Sequence, residues 1–251
     1  MATIPEPSLF RWDCVDQLGD LERLLLVLDA IPDEPLMQLL ERERRNGRND
    51  YPVRPMWNSL LAGFVFGHDS IASLRRELLR NAQLREVCGF DLFQGTAAVP
   101  TECAYTRFQR RLAKHEAEFL KIYHHLLDLL KERLPDLGAV LALDGKELHA
   151  SAKRESKYEM AEDEAPDGRR DHDADWGAKG NGKKKRWWFG YLVHLIVDAN
   201  YELPVAFEVT PASYGEQPVA QLLLDQLQER HPDLLQQCQR LSADRATTTA
   251  N

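Results

Sequence analysis

The five apolar residues Ala139 to Leu143 run without interruption into Asp144-Gly145-Lys146. An unbroken apolar run predicts a strand covered on both faces, whereas alternation would predict one face in water. Such a strand requires packed layers on either side, which confines the chain around it to an α/β arrangement. A carboxylate at the C-terminal end of the strand falls where open α/β sheets place their ligands, so Asp144 is the first candidate for chemistry. Asp144-Gly145 also has the composition of a plain turn, and a second feature has to separate the two readings.

That feature lies near the other end of the chain. Gln239 to Arg245 again reads as a short strand delivering an aspartate, Asp244. Two strands that each end in Asp can bring two carboxylates to one sheet edge. Hard divalent cations such as Mg2+ or Mn2+ take oxygen ligands, so the pair suits metal-assisted phosphoryl transfer.

The chain is long enough, at 251 residues with 43% hydrophobic content, for one large domain or two modest ones. No basic start followed by an apolar core marks a signal peptide, and no apolar run approaches bilayer length, so a soluble cytoplasmic protein with no membrane partner is expected. Cys14, Cys88, Cys103 and Cys238 form no CxxC pair, which argues against zinc and fits unpaired thiols in a reducing compartment. The net charge of −8 is not that of a uniformly basic nucleic-acid binder. Between Arg42 and Lys114, however, 13 Lys and Arg face 7 Asp and Glu, a local excess of +6 compatible with phosphate contact.

The first half reads as helices. Leu18, Leu21, Leu24, Leu25 and Leu28 recur at helical spacing up to Pro32, and Asp33-Glu34-Pro35 opens a second, short helix. A third helix begins at Pro55 and stops at Gly67; Ser70 caps a fourth, which directs Arg75, Arg76 and Arg80 outward; Asn81 to Gly89 frames a fifth. Short Arg-studded helices joined by tight turns resemble a helix-turn-helix arrangement, though any small bundle shares the pattern. Thr101 then caps one long helix expected to reach Leu134. Arg107, Arg110, Arg111 and Lys114 lie near its start, where they oppose the helix dipole, so phosphate contact is one explanation for them. His115, His124 and His125 on the same helix lack a carboxylate at ligand spacing and read as surface or packing residues.

Pro135 and Gly138 mark the domain boundary, where the pattern turns from helical to α/β. Residues 150–186 read as a long charged loop, with Lys183, Lys184, Lys185 and Arg186 at its end; Asp171, Asp173 and Asp175 resemble part of a calcium loop but lack its Gly and distal Glu. Trp187 to Val197 and Leu203 to Val209 predict a hairpin, with His194 a hydrogen-bonded core residue. A helix over 216–230 buries Val219, Leu222, Leu223 and Leu227. The order is strand, insertion, hairpin, helix, strand.

These residues bring the chain to a known family. Tyr51-Pro-Val-Arg-Pro through Leu74-Arg-Arg-Glu-Leu, then Leu84-Arg-Glu-Val-Cys-Gly-Phe and Thr106-Arg-Phe-Gln-Arg-Arg-Leu, form the N-terminal motifs. Leu143-Asp-Gly-Lys, Asp173-Ala-Asp-Trp-Gly, Phe189-Gly-Tyr-Leu-Val-His and Ala243-Asp-Arg form the C-terminal ones. In this order they resemble the DDE transposases of bacterial insertion sequences across nearly the whole chain. The resemblance implies an α+β protein: a helical DNA-binding domain over 1–135, then over 136–251 the N-terminal part of a ribonuclease-H-like catalytic domain with its insertion at 150–186.

It also implies that Asp144 and Asp244, 100 residues apart, are the first two acids of a triad that holds two Mg2+ or Mn2+ ions. Those ions activate water and then a 3′-hydroxyl for attack on phosphodiesters. The implied partners are duplex DNA at the element ends and a second copy of the chain, in a nucleoid-associated setting. Arg75, Arg76, Arg80, Arg107, Arg110, Arg111, Lys114, Lys183, Lys184, Lys185 and Arg186 are the candidate DNA contacts. The family's third acid, a Glu on a later helix, follows well after the second Asp and is expected to be absent from this chain, which stops at Asn251. Where the family continues with Gly-Tyr-Asp after the basic residue, this chain has Ala246-Thr247-Thr248-Thr249, which one deleted G in GGC TAC GAC GAC would produce. A frameshifted, truncated transposase with little strand transfer of its own is therefore expected, the alternative being a non-catalytic DNA-binding regulator of intact transposase.

Overall fold

The computed structural model describes residues 19–44, 51–151, 171–180 and 185–243. The chain divides into two compact units, 1–129 and 130–251. The described part is α+β, helical at first and then built on one mixed sheet.

The first unit contains α1 (Leu21–Ala30), α2 (Glu34–Arg44), α3 (Val53–Val65), α4 (Ile71–Arg80), α5 (Ala82–Cys88), α6 (Glu102–Leu112) and most of α7 (Glu116–Arg133). Three of the helix starts are set by side-chain caps: Ser70, Asn81 and Thr101 accept the backbone N–H of Ser73, Leu84 and Ala104, respectively. Gly89, at φ +90°, ends α5 in the left-handed conformation that a residue with a Cβ resists. The apolar stripes meet in one core, with Leu24, Leu36, Met37, Leu40, Leu74, Leu78, Leu84 and Tyr105 almost wholly buried. The Tyr105 hydroxyl is satisfied there by Ser59 Oγ at 2.7 Å. Asp33 joins α2 to α3 from inside this core: its buried carboxylate accepts from Arg54 and from the Trp57 indole N–H.

The single helix expected from Thr101 to Leu134 is two. Residues 113–115 separate α6 from α7, and the charges explain the break. Arg110 and Arg111 stand in the last turn of α6, while Glu116 and Glu118 stand in the first turn of α7. Each set complements the dipole end that it occupies, so helix stability accounts for Arg110 and Arg111, contrary to the expectation from a continuous helix.

In the second unit, β1 (Val140–His149) lies between β3 (Arg186–Asp198), antiparallel to it, and β5 (Arg240–Ala243), parallel to it. β4 (Leu203–Pro211) pairs with β3 as the predicted hairpin, and α8 (Glu216–Arg230) packs on β3 and β4 through Val219, Leu223 and Leu227. Leu222, expected inside, is 45% exposed. A short α9 (Pro232–Gln236) follows. Buried Asp198 organises the hairpin turn and the entry to β1, accepting the N–H groups of Asn200, Tyr201 and Gly138. The charged insertion is not all loop: β2 (Asp175–Lys179) pairs antiparallel with the start of β3. Its polarity concealed a strand that packs on one face through Trp176 against Phe189, ring centroids 5.6 Å apart, and on the other through Gly177 against Trp188. Among the described residues no helix is long and apolar enough to cross a membrane.

Candidate active site

Asp144 is the fifth of the ten residues of β1 and not its C-terminal end as expected, because the strand runs on through its pairing with β3 to His149; it is exposed, with Oδ1 accepting the N–H of Gly145 at 2.8 Å. The parallel pairing of β1 with β5 runs in the register Leu141 with Leu241, Ala142 with Ser242 and Leu143 with Ala243. In the sequence, the two members of that last pair are followed directly by Asp144 and Asp244. Asp244 itself lies outside the described residues, as do Lys183 and Lys184.

A small cavity opens beside Asp144, lined also by Gly145, Lys179, His194 and Glu216, with Leu143, Leu195, Ala220 and Leu223 as its apolar wall. Glu216, in the first turn of α8, reaches over β1: a Cβ on Gly145 would stand 3.4 Å from its Oε1. Glu216 therefore lies over the face of β1 that Gly145 presents, whereas Asp144, the preceding residue of the strand, presents its side chain to the opposite face. His194 is buried and bonds Thr210 Oγ1 through Nε2 at 2.9 Å. Burial depresses its pKa against the pull of Glu216 and Glu208, which favours the neutral ring. The available donors are hard oxygens, the chemistry that Mg2+ and Mn2+ prefer. Among the described residues no group of three or more His, Cys, Asp or Glu side chains is arranged to hold an ion. Asp144 offers such a cation one exposed carboxylate and needs further donors.

The candidate DNA contacts separate by what they touch. Arg75 binds the Pro100 carbonyl at 2.7 Å and Glu102 at 3.2 Å, and Arg111 binds the Leu40 carbonyl at 2.6 Å, so both hold the first unit together. Arg80 is paired with Glu77, and Arg186 with Glu147 at 2.6 Å. The Lys185 ammonium lies 4.2 Å over the Trp187 ring. Arg76, Arg107, Arg110 and Lys114 are exposed. Arg107 and Arg111 share an open groove with Arg44 and Tyr51.

A family model described as "Transposase DDE domain" matches residues 136–248, and one described as "Transposase domain (DUF772)" matches residues 13–111. The chain belongs to the DDE transposases. No significant match to it is found among curated proteins or solved structures. The DDE model covers β1 through β5 and thus both aspartates that follow the Leu143–Ala243 pair. The sequence pointed to neither Glu216 nor Lys179. The first reads as an ordinary acidic residue at a helix start, and the second lay within the charged segment taken for a loop; only the fold puts them beside Asp144.

Proposed function

We propose that this DDE transposase binds the ends of an insertion sequence as duplex DNA, and that Asp144 and Asp244 belong to the divalent-metal site at which its family cuts and joins phosphodiesters. The register of β1 and β5 carries the reading, because the paired residues Leu143 and Ala243 each precede one of these acids. The succession of β1, insertion, hairpin, α8 and β5 supports a ribonuclease-H-like core over 136–251. Bound Mg2+ or Mn2+ supplies an activated water or 3′-hydroxyl and neutralises charge on the phosphate. The protein's own contribution is positional. The Gly145 N–H holds one oxygen of Asp144, whose carboxylate would serve as a ligand to such an ion, and His194 is bonded to Thr210.

The helical domain, 1–135, is the DNA-binding part in this reading. Its exposed Arg76, Arg107, Arg110 and Lys114 contact phosphates, with Arg75, Arg80 and Arg111 fixed at their sides, and Lys183, Lys184, Lys185 and Arg186 extend the basic surface in the catalytic domain. A homodimer, one copy for each element end, and a place at the nucleoid go with it. The test is a titration of labelled duplex DNA in rising salt. Binding whose log K falls linearly with log salt, with a slope reduced by charge removal at Arg107 and Arg110, is the expected result. Absence of duplex binding at low salt overturns the proposal.

A further inference from the structure

We propose that Lys179 binds the phosphate of the DNA strand presented to Asp144. The proposal rests on the reading of the Asp144 cavity as a site for phosphodiester chemistry. It begins with a geometric mismatch along β3. Lys179 pairs with Arg186 and Asp144 pairs with Leu195, nine positions further on. An extended strand carries such positions about 30 Å apart, well beyond the reach of a lysine side chain. Lys179 nevertheless lines the Asp144 cavity. The β2–β3 ribbon is therefore turned back toward the site.

The sequence provides for that turn. Gly190, where β3 has both Asp175 and His149 as partners, has φ +152°, and a Cβ there would stand 2.1 Å from the Leu148 carbonyl oxygen. Trp188 packs on Leu192 and Ala212 in a buried cluster, and the missing side chain of Gly177 gives its indole room: a Cβ there would lie 2.4 Å from the ring. These contacts fix the ribbon against the sheet, so the position of Lys179 is built in.

The chemistry of the cavity explains what the lysine is for. Among the described residues lining it, Lys179 is the one lysine or arginine, and it shares the lining with Asp144 and Glu216. No ion pair joins Lys179 to either acid among the described residues, so its three donors remain available to a ligand. A phosphodiester approaching the carboxylate of Asp144 meets repulsion that an ammonium beside the same cavity relieves, and lysine serves phosphate as a point charge.

The full chain and its Lys179→Gln, Lys179→Arg and Lys121→Gln variants are titrated with a labelled duplex across a salt series, and the melting temperature of each free protein is recorded. Lys179→Gln is expected to weaken binding and to lower the slope of log K against log salt by about 0.9, one phosphate contact. Lys179→Arg restores the slope, and Lys121→Gln, on an exposed face of α7, leaves it unchanged. If Lys179 only neutralises the nearby acids, Lys179→Gln lowers the melting temperature and leaves the slope intact, which overturns the proposal but not the transposase reading. Failure of the unaltered chain to bind duplex overturns both.

Discussion

Gly190→Ala is the sharpest perturbation available in the catalytic domain. The native φ of +152° lies outside the conformations that alanine adopts readily, a penalty of about 1–3 kcal/mol. The added methyl meets backbone on two sides, 2.1 Å from the Leu148 oxygen and 2.7 Å from the Ala150 nitrogen, so no side-chain rotation relieves it. Relief requires the end of β1 to part from β3, losing the pairing of His149 with Gly190 and the hydrogen bond from Ala150 N to the Phe189 oxygen, about 1 kcal/mol more. The sum is about 2–4 kcal/mol. At about 2–4 °C per kcal/mol for a chain of this size, the transition of the affected domain falls by roughly 10 °C. Differential scanning calorimetry reads the shift, and the salt dependence of DNA binding reads whether Lys179 has moved from the site. A change below about 1 kcal/mol would refute the argument that the ribbon is bent through a position only glycine tolerates.

Two further outcomes follow from buried polar groups. Asp33→Ala leaves Arg54 and the Trp57 indole N–H without their acceptor inside the helical core, and urea unfolding is expected to register a loss of about 3 kcal/mol; a loss within about 0.5 kcal/mol would contradict the role given to Asp33. His194 makes stability pH-dependent with a fixed sign. Its folded pKa lies below the ordinary value near 6.5, so its contribution is complete above about pH 6.5 and is lost as pH falls from there toward the lowered value, where only the unfolded chain takes up the proton. Glu216 and Glu208 face the ring and limit the shift. The urea midpoint should therefore fall on going from pH 7.5 to pH 5.5, and His194→Asn should flatten that fall; an equal fall in the variant would assign it to other groups.

The legible parts of the fold were those with local causes. Ser70, Asn81 and Thr101 announce helix starts because a cap acts within three residues, and Gly89 announces an end because only the left-handed conformation closes that helix. The α6–α7 break was also written locally, in Arg110 and Arg111 before it and Glu116 and Glu118 after it, but the apolar stripe continuing through Phe108, Leu112, Phe119 and Ile122 outweighed it. β2 was hidden because one of its faces carries Asp175, Gly177 and Lys179, two charges on either side of a glycine that yields to Trp188. Asp144 stood out because it breaks an apolar run. Glu216 and Lys179 did not, since nothing in their own neighbourhoods indicates the turn at Gly190 or the approach of α8 that brings them to one cavity.

That Asp144 belongs to a divalent-metal site for phosphoryl transfer is open to direct measurement. The most direct test is calorimetric titration of Mn2+ into the full chain and into Asp144→Asn, with Asp136→Asn as a control for a lost charge elsewhere. Binding by the unaltered chain and the control, weakened at least about tenfold in Asp144→Asn, is the predicted result. Equal Mn2+ binding by the unaltered chain and Asp144→Asn would contradict it.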